Sequence, residues 1–319
     1  MRVLVTGGAG FIGSNFVQRS LKTRADLEIL VLDKLTYAGS MTNLGPRIKE
    51  ITFIEGDICN AELVERLVSQ VDLVVHFAAE SHNDNSLKHP DIFFETNLLG
   101  TLNIVKSCTS HGVRLHHVST DEVFGDLPLE SEDLFSLASP YNPSSPYSAS
   151  KAASDHVVRA WGRSFGLEAT ISNCSNNYGP MQNWEKLIPN TIRSLVLGKK
   201  ATVYGSGLNV RDWIHVDDHI DGIWSAVDFG ETGATYLFGA RDTVSNIQIV
   251  RSVLEELGLG ESMMALVDDR PGHDLKYAID PSSAEDMLGW KPKHVSVLQH
   301  MPELVSWYQK KLQDSSLSP

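Results

Sequence analysis

Arg2-Val3-Leu4-Val5-Thr6-Gly7-Gly8-Ala9-Gly10-Phe11-Ile12-Gly13 opens the chain, and its reading decides the fold. Residues 2–6 form a short apolar strand. Gly7, Gly10 and Gly13 then punctuate the sequence as G-x-x-G-x-x-G, and a helical pattern covers residues 14–21. A second apolar run, residues 29–33, ends in Asp33. Strand, glycine turn, helix, strand and acid together make one β-α-β unit with a dinucleotide fingerprint. The glycines permit a tight turn and a close approach of backbone to a pyrophosphate, while the helix start supplies free N–H groups and a positive dipole. Asp33 lies 20 residues beyond Gly13, where a carboxylate accepts from ribose hydroxyls and repels a 2′-phosphate. NAD is therefore expected over NADP, with Lys34 as a neighbouring cation that argues the other way.

Outward from that unit the alternation continues. Residues 51–58 read as a third strand; Asp57 near its end suits an adenine amino group or, more plainly, a cap for the helix from Asn60. Residues 71–79 read as a fourth strand, whose small Ala78 and Ala79 leave room for a cofactor. A helix pattern containing Thr96 covers 93–108, a strand 113–119 and a long helix 147–165. This predicts an α/β fold, a Rossmann-type doubly wound parallel sheet with ligands beyond the strand C-termini. The glycine turn, Asp33, Ala78, Ala79 and Thr120 all fall at those ends. After Gly179-Pro180 the pattern loosens into a helix over 184–197, a strand over 201–204, a strand over 211–216, and a helix capped by Asp217 or Asp218. The expected division is an NAD-binding domain over 1–178 with a return segment at about 213–238, and a smaller mixed α/β lobe over 179–212 and 239–319.

Bulk properties narrow the partners. The 319 residues are 42% hydrophobic and 21% charged, with a net charge of −13. So acidic a chain argues against nucleic acid and anionic membrane surfaces, which need basic patches. Cys59, Cys108 and Cys174 show no metal-ligand spacing and read as reduced thiols. The twelve histidines form no metal arrangement, so no metal is expected. No apolar run is long enough to span a membrane, no leader is evident, and a cytoplasmic location is expected. Residues 314–319 read as a frayed tail.

Residues 119–151 hold the chemistry. Ser119-Thr120-Asp121-Glu122 follows an apolar run, and Tyr147-Ser148-Ala149-Ser150-Lys151 opens the long helix. The resulting chain resembles the extended short-chain dehydrogenase/reductase family, and within it the sugar-nucleotide 4,6-dehydratases. The resemblance is carried by residues 6–13, Leu35-Thr36-Tyr37-Ala38-Gly39, Ala78-Ala79-Glu80-Ser81-His82, Thr120-Asp121-Glu122, Tyr147 to Lys151, Asn176-Asn177-Tyr178-Gly179-Pro180, Glu185-Lys186-Leu187, Val210-Arg211-Asp212-Trp213 and Arg270-Pro271-Gly272-His273-Asp274. The tyrosine-lysine pair is shared across the family, whereas the Thr-Asp-Glu and Arg-Pro-Gly-His segments are more specific to the dehydratases. One departure stands out: His82-Asn83-Asp84-Asn85-Ser86 has asparagines where many relatives carry Val and Arg.

Tyr147 and Lys151 sit four apart, on one helix face. An ammonium beside a phenol favours the phenolate, so Tyr147 is expected to take the proton of a sugar hydroxyl held by Thr120 while hydride leaves for NAD. By spacing alone the pair is equally an ordinary surface contact. Oxidation at C4 acidifies the C5 proton; a carboxylate there acts as general base and a protonated carboxyl assists loss of the C6 hydroxyl. Two carboxyls in one dry pocket push their pKa values apart. The resemblance assigns the base to Glu122 and the acid to Asp121. It also implies that Phe11, Ile12, Thr36, Asp57, Ile58, Phe77, Ser81, Thr96 and Asn177 join the glycines, Asp33, Lys34, Ala78, Ala79, Tyr147 and Lys151 around NAD. It places Ser81, Thr120, Asn176, Glu185, Lys186, Leu187, Tyr204, Arg211, Asn246, Arg270 and His273 around the substrate, with Lys186, Arg211 and Arg270 as cations for a pyrophosphate. Singly, Tyr204 reads as a half-buried strand residue, Asn246 as a helix cap and His273 as a loop histidine.

The activity implied is 4,6-dehydration of dTDP-glucose, with hydride returned to C6 and NAD regenerated. UDP- or GDP-sugar dehydratases share this chemistry. A nucleotide-sugar 4-epimerase uses the tyrosine and lysine but needs no carboxyl pair, and a non-catalytic NAD-binding regulator needs neither. Apolar residues on more than one face of helices 93–108 and 147–165 fit core packing; the resemblance adds a homodimer.

Overall fold

The computed structural model describes residues 1–316. β1 (Arg2–Thr6), β2 (Glu28–Asp33) and β3 (Thr52–Glu55) alternate with α1 (Phe11–Thr23) and a 3₁₀ segment, and α2 (Ala61–Val68) leads to β4 (Leu73–His76). Two short helices follow, α3 (Asn83–Lys88) and α4 (Pro90–Phe93). Then come α5 (Thr101–His111), β5 (Arg114–Thr120), α6 (Pro146–Phe165) and β6 (Ala169–Cys174). The second half holds β7 (Asn176–Tyr178), α7 (Leu187–Val196), β8 (Ala201–Tyr204), β9 (Val210–His215), α8 (Val216–Phe229), β10 (Thr235–Phe238), β11 (Thr243–Ser245), α9 (Asn246–Glu256), β12 (Met264–Val267), α10 (Ser282–Leu288) and α11 (Met301–Ser316).

The main sheet has seven strands in the order β10-β6-β5-β4-β1-β2-β3, all parallel. Its strand order reverses between β1 and β4, the switch point where ligands sit in open α/β sheets. Burial on both faces explains the unbroken apolar strands. Leu4, Leu30 and Val74 face one layer with Val64 of α2 and Ile104 of α5. Val3, Val5, Val31 and Val75 face the other, with Phe16 of α1 and Ile223 and Trp224 of α8. Each such side chain contributes about 1.5–3 kcal/mol through burial. β7, β9 and β11 form a separate small sheet, and β8 pairs with β12. A further core packs α7, α9 and α11 through Ile192, Val250 and Tyr308.

Several expected boundaries move. α1 starts at Phe11, with Gly10 as its N-cap. The helix expected over 93–108 is divided: Phe94–Gly100 is a π-helical turn set between α4 and α5. There Asn97 turns inward to exchange hydrogen bonds with the Glu80 backbone and to donate to Ser150 Oγ. Neither Asp217 nor Asp218 caps α8; His215 does, its Nδ1 accepting from Asp217 N. Asn60 caps its own helix in place of Asp57, and Ser245 caps α9 in place of Asn246. Asp314 to Ser316 continue α11 where a frayed tail was expected; residues 317–319 of that expectation lie outside the described residues. No helix among the described residues is long and apolar enough to cross a membrane.

Candidate active site

One large cavity runs along the C-terminal ends of the main sheet. The turn after β1 contributes Gly7, Gly10, Phe11, Ile12 and Gly13; the end of β2 contributes Asp33, Lys34 and Thr36. Asp57 and Ile58 follow β3, Phe77, Ala78, Ala79 and Ser81 follow β4, and Thr96 enters from the π-helical turn. Thr120, Asp121 and Glu122 stand after β5, Tyr147 and Lys151 on α6, and Asn176, Asn177, Glu185 and Lys186 close the far wall.

The turn is built for close approach. A Cβ on Gly7, at φ +69°, would stand 2.7 Å from Ala78 N, and one on Gly13 would stand 2.3 Å from the Gly7 carbonyl oxygen. Asp33 accepts from Ala9 N at 2.9 Å and Leu35 N at 2.8 Å, leaving each oxygen a further lone pair. Lys34 is taken by Asp57, Nζ to Oδ2 at 2.7 Å, so this cation is already paired. Five buried polar atoms of cavity residues make no hydrogen bond to the protein: Ser119 Oγ, Asp121 Oδ2, Ser175 Oγ, Asn176 Oδ1 and Glu185 Oε1. A glycine cradle, an acid at the second strand and unpartnered buried dipoles fit a dinucleotide.

At the reacting end, Ser145 caps α6 in a capping box with Ser148 and sets the first turn that carries Tyr147. Tyr147 and Lys151 are both buried. Lys151 Nζ donates to the Val118 carbonyl at 2.9 Å. Burial lowers the Lys151 amine and raises the Tyr147 phenol well above its ordinary value; the Glu122 charge raises the phenol further, while the Thr120 hydroxyl opposes the shift. This departs from the expectation that Lys151 brings the phenol down: exclusion of water and the Glu122 charge set the direction. Asp121 is 1% exposed. Burial and the Glu122 charge hold its carboxyl well above the usual range, as an acid partner requires. Glu122 Oε2 accepts from Asn83 Nδ2 at 2.9 Å.

The expected substrate residues divide. Lys186 Nζ reaches the Ser81 carbonyl at 2.9 Å and Glu185 at 3.5 Å. Leu187, Tyr204, Arg211, Asn246, Arg270 and His273 do not line this cavity. Arg211 is buried, donates to the Asp274 carbonyl at 2.9 Å and lies 4.3 Å over the Tyr277 ring; its charge still reaches Asp121. Tyr204, exposed rather than half-buried, donates to Asp84 at 3.0 Å, Arg270 Nε lies 3.8 Å from Asp84, and His273 pairs with Asp269 at 2.6 Å. Sequence reasoning passed over Asp155, although Tyr147, Lys151 and Asp155 share a spacing of four. Burial alone would raise Asp155, yet His117, Lys151 and Asn173 bring it down to about 2. Asn173 Nδ2 joins Asp155 to the Thr120 carbonyl, which steadies the strand end beside the carboxyl pair.

A profile of the family described as GDP-mannose 4,6 dehydratase matches residues 4–301. The chain belongs to that family. Among family relatives, a dTDP-glucose 4,6-dehydratase of Mycolicibacterium smegmatis is 52% identical over 97% of this chain and 93% of its own. The crystal structure of a dTDP-glucose 4,6-dehydratase from Streptomyces venezuelae, solved with NAD bound, superposes with a TM-score of 0.94 at 43% identity, covering 98% of both chains. A Thermus thermophilus UDP-glucose 4-epimerase, in complex with NAD, reaches a TM-score of 0.87 at 30% identity over 97% of this chain and 99% of its own.

Proposed function

We propose that this chain is an NAD-dependent dTDP-glucose 4,6-dehydratase, a hydro-lyase that yields dTDP-4-keto-6-deoxyglucose. The observation that carries the reading is the carboxyl pair Asp121 and Glu122 in the same cavity as Tyr147 and Lys151, with burial and the Glu122 charge raising the Asp121 carboxyl well above its ordinary range. An epimerase has no use for that acid. NAD, held along the glycine turn and Asp33, would supply the cationic hydride acceptor for C4 and the hydride donor for C6. Thr120 positions the C4 hydroxyl, and Tyr147, drawn towards phenolate by the cationic charge that a bound NAD would bring beside it, would take its proton; Lys151 holds the α6 side of the site against the end of β5. Glu122 then removes the C5 proton, Asp121 gives its proton to the C6 hydroxyl, and water leaves. The C5 proton returns from Glu122 as hydride reaches C6, and the proton that Tyr147 took from the C4 hydroxyl replaces, by way of solvent, the one Asp121 gave to the leaving water, so both groups are reset. Lys186 and Asn176 face the nucleotide sugar, with Arg211, Arg270, Tyr204 and His273 on the lobe side.

The division into a nucleotide-binding domain and a substrate lobe belongs to the same reading, with α8 and β10 as its return to the first domain. A homodimer is supported by the exposed apolar side chains Ile92, Phe94 and Leu99 near α4 and the π-helical turn. A cytoplasmic location is supported by three free cysteines. Incubation with dTDP-glucose, UDP-glucose and GDP-mannose tests the function. A 4-keto-6-deoxy product is expected from dTDP-glucose; C4 epimers alone would defeat the reading, and product only from UDP- or GDP-sugars would move the base. Sedimentation reads the dimer.

A further inference from the structure

Asn83 is the first residue of α3, and its side-chain amide spans two parts of the site. Nδ2 donates to Glu122 Oε2 at 2.9 Å, and Oδ1 accepts from Ser145 Oγ at 3.0 Å. The carboxylate can only accept and the hydroxyl can donate, so this orientation of the amide satisfies both. Among the described residues, that bond from Asn83 is the hydrogen bond made to the Glu122 carboxylate. Ser145 is the N-cap of α6, the helix that carries Tyr147 and Lys151. A single amide therefore ties the carboxylate after β5 to the start of the tyrosine helix, although Asn83 lies 39 residues from Glu122 and 62 from Ser145.

We propose that Asn83 is a positioning residue for the elimination step, holding Glu122 in register with Tyr147; this rests on the reading of Glu122 as the base that removes the C5 proton. Glutamate has several rotatable bonds, and without a donor its carboxylate samples positions that miss the proton. A displacement of about 1 Å costs up to about a hundredfold in rate. Valine makes neither bond, so Asn83→Val removes the tie at both ends. Threonine has the shape of valine and keeps a hydroxyl donor, and both are β-branched, so their helix cost is alike.

Single-turnover reactions with dTDP-glucose, on protein loaded with NAD, test the proposal. Asn83→Val is expected to slow product formation roughly tenfold, with KM about unchanged and reduced-nicotinamide absorbance building up during the turnover. Oxidation then proceeds while proton removal at C5 lags. Asn83→Thr is expected to regain most of the rate and to lose the build-up. A merely structural role would slow oxidation and elimination together. Slower turnover without the build-up, equal behaviour of Val and Thr variants, or wild-type kinetics in Asn83→Val would overturn the assignment. Glu122→Gln separates the two layers. A stall of Glu122→Gln beside a normal Asn83→Val removes only the role of Asn83, while full turnover by Glu122→Gln removes the base reading beneath it. Chemical unfolding of Asn83→Val, Glu122→Ala and the double variant gives a second readout. Non-additive costs are expected, and strict additivity counts against the contact.

Discussion

Replacing Gly13 by alanine tests the cofactor cradle at its tightest point. The added methyl would lie 2.3 Å from the Gly7 carbonyl oxygen and 2.9 Å from Gly8 Cα. Carbon and a carbonyl oxygen meet at about 3.3–3.6 Å, so roughly 1 Å must be found, and both obstructing groups are backbone. Overpacking of this kind costs about 1–3 kcal/mol. Gly13 lies inside α1, where alanine is favoured over glycine by about 1 kcal/mol. The net loss of stability is then about 0–2 kcal/mol, a melting shift of a few degrees. The displaced turn carries the backbone amides that the glycine cradle would offer a pyrophosphate, so the larger effect is expected on NAD: a misplacement of about 1 Å weakens binding about tenfold or more. Calorimetric titration with NAD, alongside thermal melts, reads both quantities. Gly112→Ala is the control: nothing lies within 4 Å of its Cβ position, but φ is +63°, so about 1 kcal/mol of stability is lost and NAD affinity is kept. NAD affinity within about twofold of wild type in Gly13→Ala would refute the argument that the close contact shapes the cradle.

Three further outcomes are expected. Asp121→Asn joins stability to function. The native carboxyl is raised well above its ordinary range, so the stability it confers is complete below the unfolded value of about 3.9 and is lost as pH rises through the native value. The asparagine variant should therefore outlast wild type in urea at neutral pH, with the gap closing below about pH 4, while product formation falls about 10²–10⁴-fold. Tyr147→Phe should abolish the reduced-nicotinamide transient with substrate binding nearly unchanged, read by rapid mixing and equilibrium titration. Asp57→Asn should release Lys34 from its partner and shift the NAD-to-NADP affinity ratio toward NADP, read by titrating both; an unchanged ratio would show that Asp33 alone sets the preference.

Much of the fold was legible because its signals are local. A parallel strand buried on both faces needs an apolar run, a phosphate turn needs glycines, and the helix behind it needs a 3.6-residue period. All three are written within residues 2–33. The four-residue spacing of Tyr147 and Lys151 is likewise a property of one helix. Where competing local chemistry stood side by side, the reading slipped. The π-helical turn after Phe93 was invisible because Asn97 is drawn inward by the Glu80 backbone, and His215 displaced two aspartates as the cap of α8.

By itself, then, the order of residues determined the doubly wound sheet, the glycine cradle with Asp33, and the set of reactive groups between Thr120 and Lys151. Only the tertiary structure decided how those groups behave. The Asp121 carboxyl is held well above its ordinary range because the fold excludes water around it, and the Tyr147 phenol rises for the same reason. Lys34 is silent because Asp57 meets it, and Glu122 is held because Asn83 arrives from α3. Spacing along a chain sets which residues share a helix face, whereas dielectric surroundings and partners across tens of residues exist only once the chain has closed on itself.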